Sequence, residues 1–190
     1  NLRLCFPELA DDARQRLARA HFRVFARSLV DHGILWWGSQ QDVQALVRVE
    51  GLEHWRGVTE APVIMLAPHF VAMDMGGIRL ACEGHPMSSI YSRQKSAALD
   101  AIMLRGRSRF GKATLFARQD GIRPMIRSLK RGEAFYYLPD MDLGERDSVF
   151  APFFGVQAAT ITGLSRIAGL ARAIIVPCVT RQLPGGGYVA

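Results

Sequence analysis

The sequence predicts an α/β protein with a layered, largely parallel central sheet flanked by helices. Two observations carry this prediction. Short apolar runs such as Val63-Ile64-Met65-Leu66-Ala67 and Ala173 to Thr180 have strand length and no polar alternation, the pattern of strands buried on both faces. Segments of helical periodicity alternate with them along the chain, as crossover connections of a parallel sheet require.

The first element reads as a long amphipathic helix from about Pro7 to about His32, with Leu17, His21, Val24, Phe25 and Leu29 on one stripe. Pro7 suits the first helical position and Gly33 a C-terminal cap. The bulky cluster Ile34-Leu35-Trp36-Trp37 reads as core, although Trp also favours a lipid interface. Next come a strand at Val63–Ala67, a helix at Val71–Ala81 and a short strand at Ser88–Tyr91. The helix Ala97–Phe110 carries Arg105, Arg107 and Arg109 on a basic face. There follow a strand at Ala113–Phe116, a helix from Ile122 to Arg131 stopped by Gly132, and an aromatic strand at Ala134–Leu138. A helix at Thr160–Leu170 and a strand at Ala173–Thr180 complete the core. The closing Gly185-Gly186-Gly187-Tyr188-Val189-Ala190 reads as a turn entering a strand. One domain is expected over 1–190, with 1–60 a helical N-terminal part and 61–190 the α/β core. A chain that opens without Met and stops at an incipient strand reads as a piece of a longer protein.

Composition narrows the function classes. Hydrophobic residues at 49% support a packed core and exclude disorder. A formal net charge of +7 suits an anionic partner, whether nucleic acid, an acidic lipid surface or an acidic carrier protein. Nucleic acid is disfavoured, because the aromatics lie in apolar runs and do not alternate with basic residues. Cys5, Cys82 and Cys178 are odd in number and far apart, with neither metal-ligand spacing nor a disulfide framework. No signal peptide or membrane-spanning run is recognisable; the uncharged stretch from Val149 to Ser165 is broken by Pro152, Gly155 and Gly163.

Three segments carry chemistry. In Ala67-Pro68-His69-Phe70-Val71-Ala72-Met73-Asp74, a buried strand leads into a polar turn and a helix leads out, the place where open α/β sheets bind ligands. His69 and Asp74 can meet if the first lies in the turn and the second in the first helical turns. The imidazole would then act as general base, its tautomer fixed by the carboxylate. A surface histidine beside an unrelated aspartate is the competing reading. Tyr137-Leu138-Pro139-Asp140-Met141-Asp142-Leu143-Gly144 also follows a strand. Its paired carboxylates fit a divalent metal, a basic ligand or simple loop capping. The basic residues Arg93, Lys95, Arg105, Arg107 and Arg109 fit a phosphorylated head group, the acidic face of a carrier, or a solvated helix face.

Taken in order, these segments resemble the lipid A late acyltransferases, the lauroyl/myristoyl transferase family of Gram-negative bacteria within the wider glycerolipid acyltransferase group. The likeness covers nearly the whole chain. It runs from Asn1-Leu2-Arg3-Leu4-Cys5-Phe6-Pro7-Glu8 through the His-x4-Asp motif, Tyr91 and Arg93, Ala98-Leu99-Asp100 and Arg105-Gly106-Arg107. It continues in Leu138 to Gly144, Val149-Phe150-Ala151-Pro152-Phe153-Phe154-Gly155, Ala159-Thr160 and Val176-Pro177. The resemblance implies His69 as base and Asp74 as its orienter. It puts Arg93 and Arg107 near the charged groups of the acceptor, Asp140 at an acidic acceptor-binding position, and Asp142 and Gly144 in the same local motif. It further implies a single-pass enzyme on the cytoplasmic face of the bacterial inner membrane, without metal or cofactor, that takes acyl chains from acyl carrier protein and passes them to a phosphorylated glycolipid acceptor. The N-terminal hydrophobic helix and a C-terminal portion of that family have no counterpart in these residues.

Rival functions remain open at this stage. An acyltransferase acting on lysophosphatidate shares the dyad, but more often has a Pro-Glu-Gly-Thr-Arg type block where this chain has Pro-Asp-Met-Asp-Leu-Gly. A metal-dependent glycosyltransferase would use Asp140 and Asp142. A non-catalytic lipid-binding module would need only the basic residues.

Overall fold

The computed structural model describes every residue except Thr59, Leu143, Arg146 and Asp147. The N-terminal part holds α1 (Leu2–Cys5), the long α2 (Asp11–Trp37), α3 (Gln40–Leu46), a two-residue strand β1 (Val47–Arg48) and α4 (Leu52–Arg56). Then follow β2 (Val63–Leu66), α5 (Met73–Ala81), β3 (Met87–Tyr91), α6 (Ala97–Ser108), β4 (Ala113–Ala117), a single 3-10 turn (Arg118–Asp120), α7 (Arg123–Lys130) and β5 (Ala134–Tyr137). The last third comprises β6 (Ser148–Phe153), β7 (Val156–Ile161), α8 (Gly163–Ala171), β8 (Ile174–Pro177), β9 (Arg181–Gln182) and β10 (Tyr188–Val189).

Five of these strands form one all-parallel sheet in the order β4-β3-β5-β2-β8. The strands read as unbroken apolar runs because both faces are covered. Val63 and Met65 of β2 and Ala134 and Tyr136 of β5 pack with Leu80 and Ala81 of α5. The alternate residues Ile64, Phe135 and Tyr137 turn to Met125 and Leu129 of α7 and Ile167 and Ala171 of α8. A further cluster joins Leu35 of α2 and Val43 of α3 to Met75 and Ile78 of α5 and to Tyr188. Tyr188 lies on β10, which pairs in parallel with β1, so the segment after α3 and the last described strand share one small sheet.

Two expectations need correction. The long helix α2 starts at Asp11, not Pro7, and continues through Gly33 to Trp37. Glycine inside a helix costs about 1 kcal/mol. Burial of Leu35 and the hydrogen bond that Tyr188 donates to buried Asp31 (2.7 Å) offset that cost. The helix stops at Gly38, and Ser39 opens α3 with a capping box closed by Asp42. Its buried face is Ser28, Asp31 and Leu35, whereas Leu17, Phe25 and Leu29 of the expected stripe are exposed. Of the two tryptophans taken as core, Trp36 is half-buried and Trp37 exposed.

Second, Thr160 and Ile161 belong to β7 rather than to a helix, and Ser148–Ile161 forms an antiparallel hairpin. Its loop is Phe154-Gly155, both at positive φ (51° and 75°), the two-residue turn that matches strand twist.

The contact between α2 and α6 is tight. A Cβ placed on Gly106 would collide with Cδ1 of Trp36, so the indole lies directly on the α6 backbone. Gly106→Ala is expected to destabilise the fold by about 1–3 kcal/mol through overpacking, read as a lower denaturation midpoint with an unchanged m-value. An unchanged midpoint would show that Trp36 is free to move aside.

Candidate active site

β2 and β5 are neighbours in the register Ile64↔Phe135, Met65↔Tyr136 and Leu66↔Tyr137. Each leaves the sheet by the same local sequence: Ala67-Pro68-His69 after β2 and Leu138-Pro139-Asp140 after β5. The residue before a proline is held extended, so both chains run on past the last ladder pair. Counting on at a constant offset sets His69 opposite Asp140. The Ala67 N–H still donates to the Tyr137 carbonyl (2.9 Å). The His69 N–H then donates to Asp140 Oδ2 (2.8 Å) and His69 Nδ1–H to Asp140 Oδ1 (2.6 Å). One carboxylate thus grips backbone and ring together. A carboxylate only accepts, so Nδ1 carries the proton and the neutral ring keeps its lone pair on Nε2. The pair is partly open to solvent, with side chains 33% and 42% exposed.

The expected contact between His69 and Asp74 is not formed. Asp74 lies on the first turn of α5 and its carboxylate faces α2 and α6, where two bases hold it. Oδ2 accepts from Arg107 Nη2 (2.9 Å) and lies 3.2 Å from His32 Nε2. Burial alone would raise the Asp74 carboxyl, but the hydrogen bond from His32 and the charge and hydrogen bond of Arg107 outweigh it and hold the group at about 2. For His32, burial works against the proton, and the hydrogen bonds to Asp74 and to the Ser28 carbonyl overcome it, so its pKa is raised.

His69, Asp74 and Arg107 all line one cavity of about 450 Å³. Met73, Asp74, Gly77, Ile78 and Ala81 contribute one face of α5, so the cavity runs down about 12 Å of that helix. The opposite wall is β3 from Met87 to Tyr91. Five of the chain's seven methionines, Met73, Met87, Met103, Met125 and Met141, line it. Its lining joins the polar His69, Asp74, Arg107 and Gln94 to these methionines and to Ile78, Ile90 and Leu115.

The other expected residues divide. Arg93 is exposed in the loop after β3, and its neighbours Ser92 and Gln94 line the cavity. Asp142 is exposed and accepts the Gly144 N–H (2.8 Å), with Gly144 at φ 86°, so here it shapes a turn. Leu143 of the same motif lies outside the described residues. Arg107 and Arg109 do not form a solvated face: Arg109 donates to the carbonyls of Leu35 (3.1 Å) and Gly38 (2.7 Å) at the end of α2. Among the described residues no group of three or more His, Cys, Asp or Glu could hold a metal ion. Cys178 is a weak nucleophile, its thiol pushed up to about 11 by burial. Sequence reasoning missed His32, which no local pattern marks.

A family model described as bacterial lipid A biosynthesis acyltransferase matches residues 1–190. The chain belongs to that family. It is 35% identical over 183 residues to the lipid A biosynthesis acyltransferase of Haemophilus influenzae, covering 95% of this chain and 57% of that protein. It is 34% identical over 192 residues to the lipid A biosynthesis lauroyltransferase of Escherichia coli, covering 99% and 62%. It is 33% identical over 179 residues to the lipid A biosynthesis myristoyltransferase of the same organism, covering 93% and 55%. The chain therefore spans somewhat over half the length of these acyltransferase relatives.

The two carboxylates should respond differently to removal. Asp74→Ala leaves the enclosed Arg107 guanidinium without its counter-ion and His32 Nε2 without its partner, and is expected to cost about 3 kcal/mol. Asp140→Ala breaks a partly exposed pair and should cost under about 1 kcal/mol. Denaturant titration checks both, and equal costs would refute the distinction. The pH dependence follows from the signs. Asp74 lies below its ordinary 3.8, so its contribution is present above that value and lost as pH falls toward 2. His32 lies above 6.5, so its contribution is full below 6.5 and lost as pH rises through its raised value.

Proposed function

We propose that the protein transfers a fatty acyl chain from acyl carrier protein to a hydroxyl of a lipid A precursor in lipopolysaccharide biosynthesis, with His69 as general base. The observation that carries this reading is the seat of His69: a ring oriented by a carboxylate at the mouth of an apolar cavity of about 450 Å³. That volume is within the range of small-molecule sites, and the lining suits an alkyl chain.

The chemistry follows from the ring's two nitrogens. The acceptor hydroxyl gives its proton to Nε2 as its oxygen bonds to the thioester carbonyl carbon. The C–S bond then breaks, and the imidazolium returns the proton to the departing thiolate. Asp140 keeps Nδ1–H in place and stabilises the imidazolium, the role first assigned to Asp74. Asp74 and Arg107 set the charge of the cavity wall. The His69 and Phe70 N–H groups are engaged by Asp140 and by the Pro68 carbonyl. Backbone N–H groups beyond His69, at the start of α5, are assigned to the carbonyl oxygen as it gains charge. No acyl-enzyme, metal or cofactor enters. Arg93, exposed beside the mouth, meets a phosphate of the acceptor, and Asp142 with Gly144 fixes the loop that carries Asp140.

Two surfaces support action at the cytoplasmic face of the bacterial inner membrane. The β6–β7 hairpin has no buried residue and exposes Val149, Phe150, Phe153 and Phe154, although an isolated hairpin is marginal in water. On α2, Arg16, Arg19, Arg23 and Arg27 form a basic stripe beside exposed Phe22, Phe25 and Leu29. Such a face suits an anionic lipid surface. Among the described residues no helix is long and apolar enough to cross a membrane.

The relatives are named for lauroyl and myristoyl transfer at nearly equal identity to this chain.

The test is acyl transfer from acyl carrier protein to a phosphorylated lipid A precursor, with chelator present. His69→Ala should lower kcat by roughly 10²- to 10⁴-fold, and Asp140→Asn should lower kcat with little change in KM. Transfer to lysophosphatidate alone would refute the acceptor assignment. Activity lost to chelator would restore the metal reading of Asp140 and Asp142.

A further inference from the structure

The His32 ring sits between two acceptors. Nδ1 lies 2.6 Å from the Ser28 carbonyl oxygen, one turn back on α2, and Nε2 lies 3.2 Å from Asp74 Oδ2. Both oxygens can only accept. Both ring nitrogens must therefore donate, and a ring with two N–H groups is an imidazolium. A neutral ring in either tautomer would set a lone pair against a lone pair, at the carbonyl or at the carboxylate. The charged groups that face the ring are Asp74 from α5 and Arg107 from α6, and Arg107 donates to the same oxygen of Asp74 at 2.9 Å.

The ring is also held by packing. Trp36 meets it edge-on, with centroids 5.2 Å apart, and Trp36 in turn rests on the backbone of Gly106, next to Arg107. Three helices are thus joined at one enclosed point. Asp74 and Arg107 line the cavity and His32 stands behind them.

We propose that His32 is a positioning residue: as an imidazolium it pins Asp74, and through it Arg107, in the cavity wall beside His69, so that the rate of acyl transfer falls when His32 loses its proton. The effect on rate rests on the acyl-transfer reading above; the state of the ring does not. Loss of the Nε2 proton turns an attractive contact into a repulsive one and frees Asp74 to swing with Arg107. His32 touches no reacting atom. The ring also stays out of the proton traffic at His69, because Asp74 and Ser28 occupy both its nitrogens.

Two measurements test this. In nitrogen-15 NMR of histidine-labelled protein, with His32 assigned by comparison with His32→Gln, both ring nitrogens should be protonated at neutral pH. A single neutral tautomer there would overturn the proposal whatever the activity. The second is the pH profile of kcat for the wild type, His32→Gln and His32→Phe, each shown to be folded by circular dichroism. Gln offers Asp74 an N–H that does not titrate, so the alkaline fall of the wild type should vanish in His32→Gln. His32→Phe keeps a ring against Trp36 but no donor. It should lower kcat by roughly ten- to a hundredfold, as a lost donor to a buried carboxylate implies, with KM for the acyl carrier little changed. An alkaline fall that persists in His32→Gln, or full activity in His32→Phe, would overturn the positioning role. No transfer by the wild type despite a doubly protonated ring would overturn the acyl-transfer reading and the rate effect with it, leaving only the structural clamp.

Discussion

The parallel pairing of β2 with β5 is the constraint on which the site depends. Both strands are buried on both faces, so their register is fixed by which residues meet α5 and which meet α7 and α8. A slip of one residue would send Met65 and Tyr136 to opposite faces and break both halves of the core. The same slip would carry His69 past Asp140. The two prolines extend the ladder's spacing beyond the sheet, and the hydrogen bond from Ala67 to Tyr137 shows the pairing continuing toward the loop. Core packing thus sets the relation of imidazole to carboxylate.

Two histidine–aspartate pairs stand near one cavity, and their surroundings separate their work. His69 and Asp140 are partly open to solvent, so their pairing is screened by water. His32 and Asp74 are enclosed, with a second cation on the same carboxylate. There the charged state is favoured by its partners, and its loss would leave polar groups poorly matched in a low dielectric. An exposed pair is a poor strut and an enclosed one a poor proton shuttle. Asp74 also lies on the first turn of α5, where the helix dipole favours a carboxylate. The Tyr136 hydroxyl donates to the Met73 carbonyl at 2.9 Å and ties that same turn to β5.

Strand and helix alternation was legible in the sequence because burial on both faces leaves a simple signature. The position of His69 at a strand end was legible for the same reason. The repeated strand–x–Pro–polar pattern after β2 and β5 was also present, and only the pairing of those two strands was needed to read it as a contact. His32 was not legible: its partners lie 42 and 75 positions away on α5 and α6. The apolar stripe of α2 misled because periodicity reports amphipathicity and does not say which surface lies against it. Pro152 and Gly155 looked like breaks in an apolar run, yet they lie within and at the turn of a hairpin that exposes its side chains.

The long helix α2 unites these features. Its last turns are fixed by Asp31 to Tyr188, by Leu35 in the core, by the His32 ring at Asp74 and by Arg109 on its terminal carbonyls. Its first turns stand exposed, with arginines and aromatics adjoining. A helix of 27 residues is a stiff rod about 40 Å long. Whatever surface orients the exposed end therefore orients the fixed end too. On the proposed reading that surface is an anionic bilayer, and the fixed end bears on the cavity wall through one imidazolium. Binding the lipid surface and aligning the wall beside His69 then become one mechanical event, because the same rod makes both contacts.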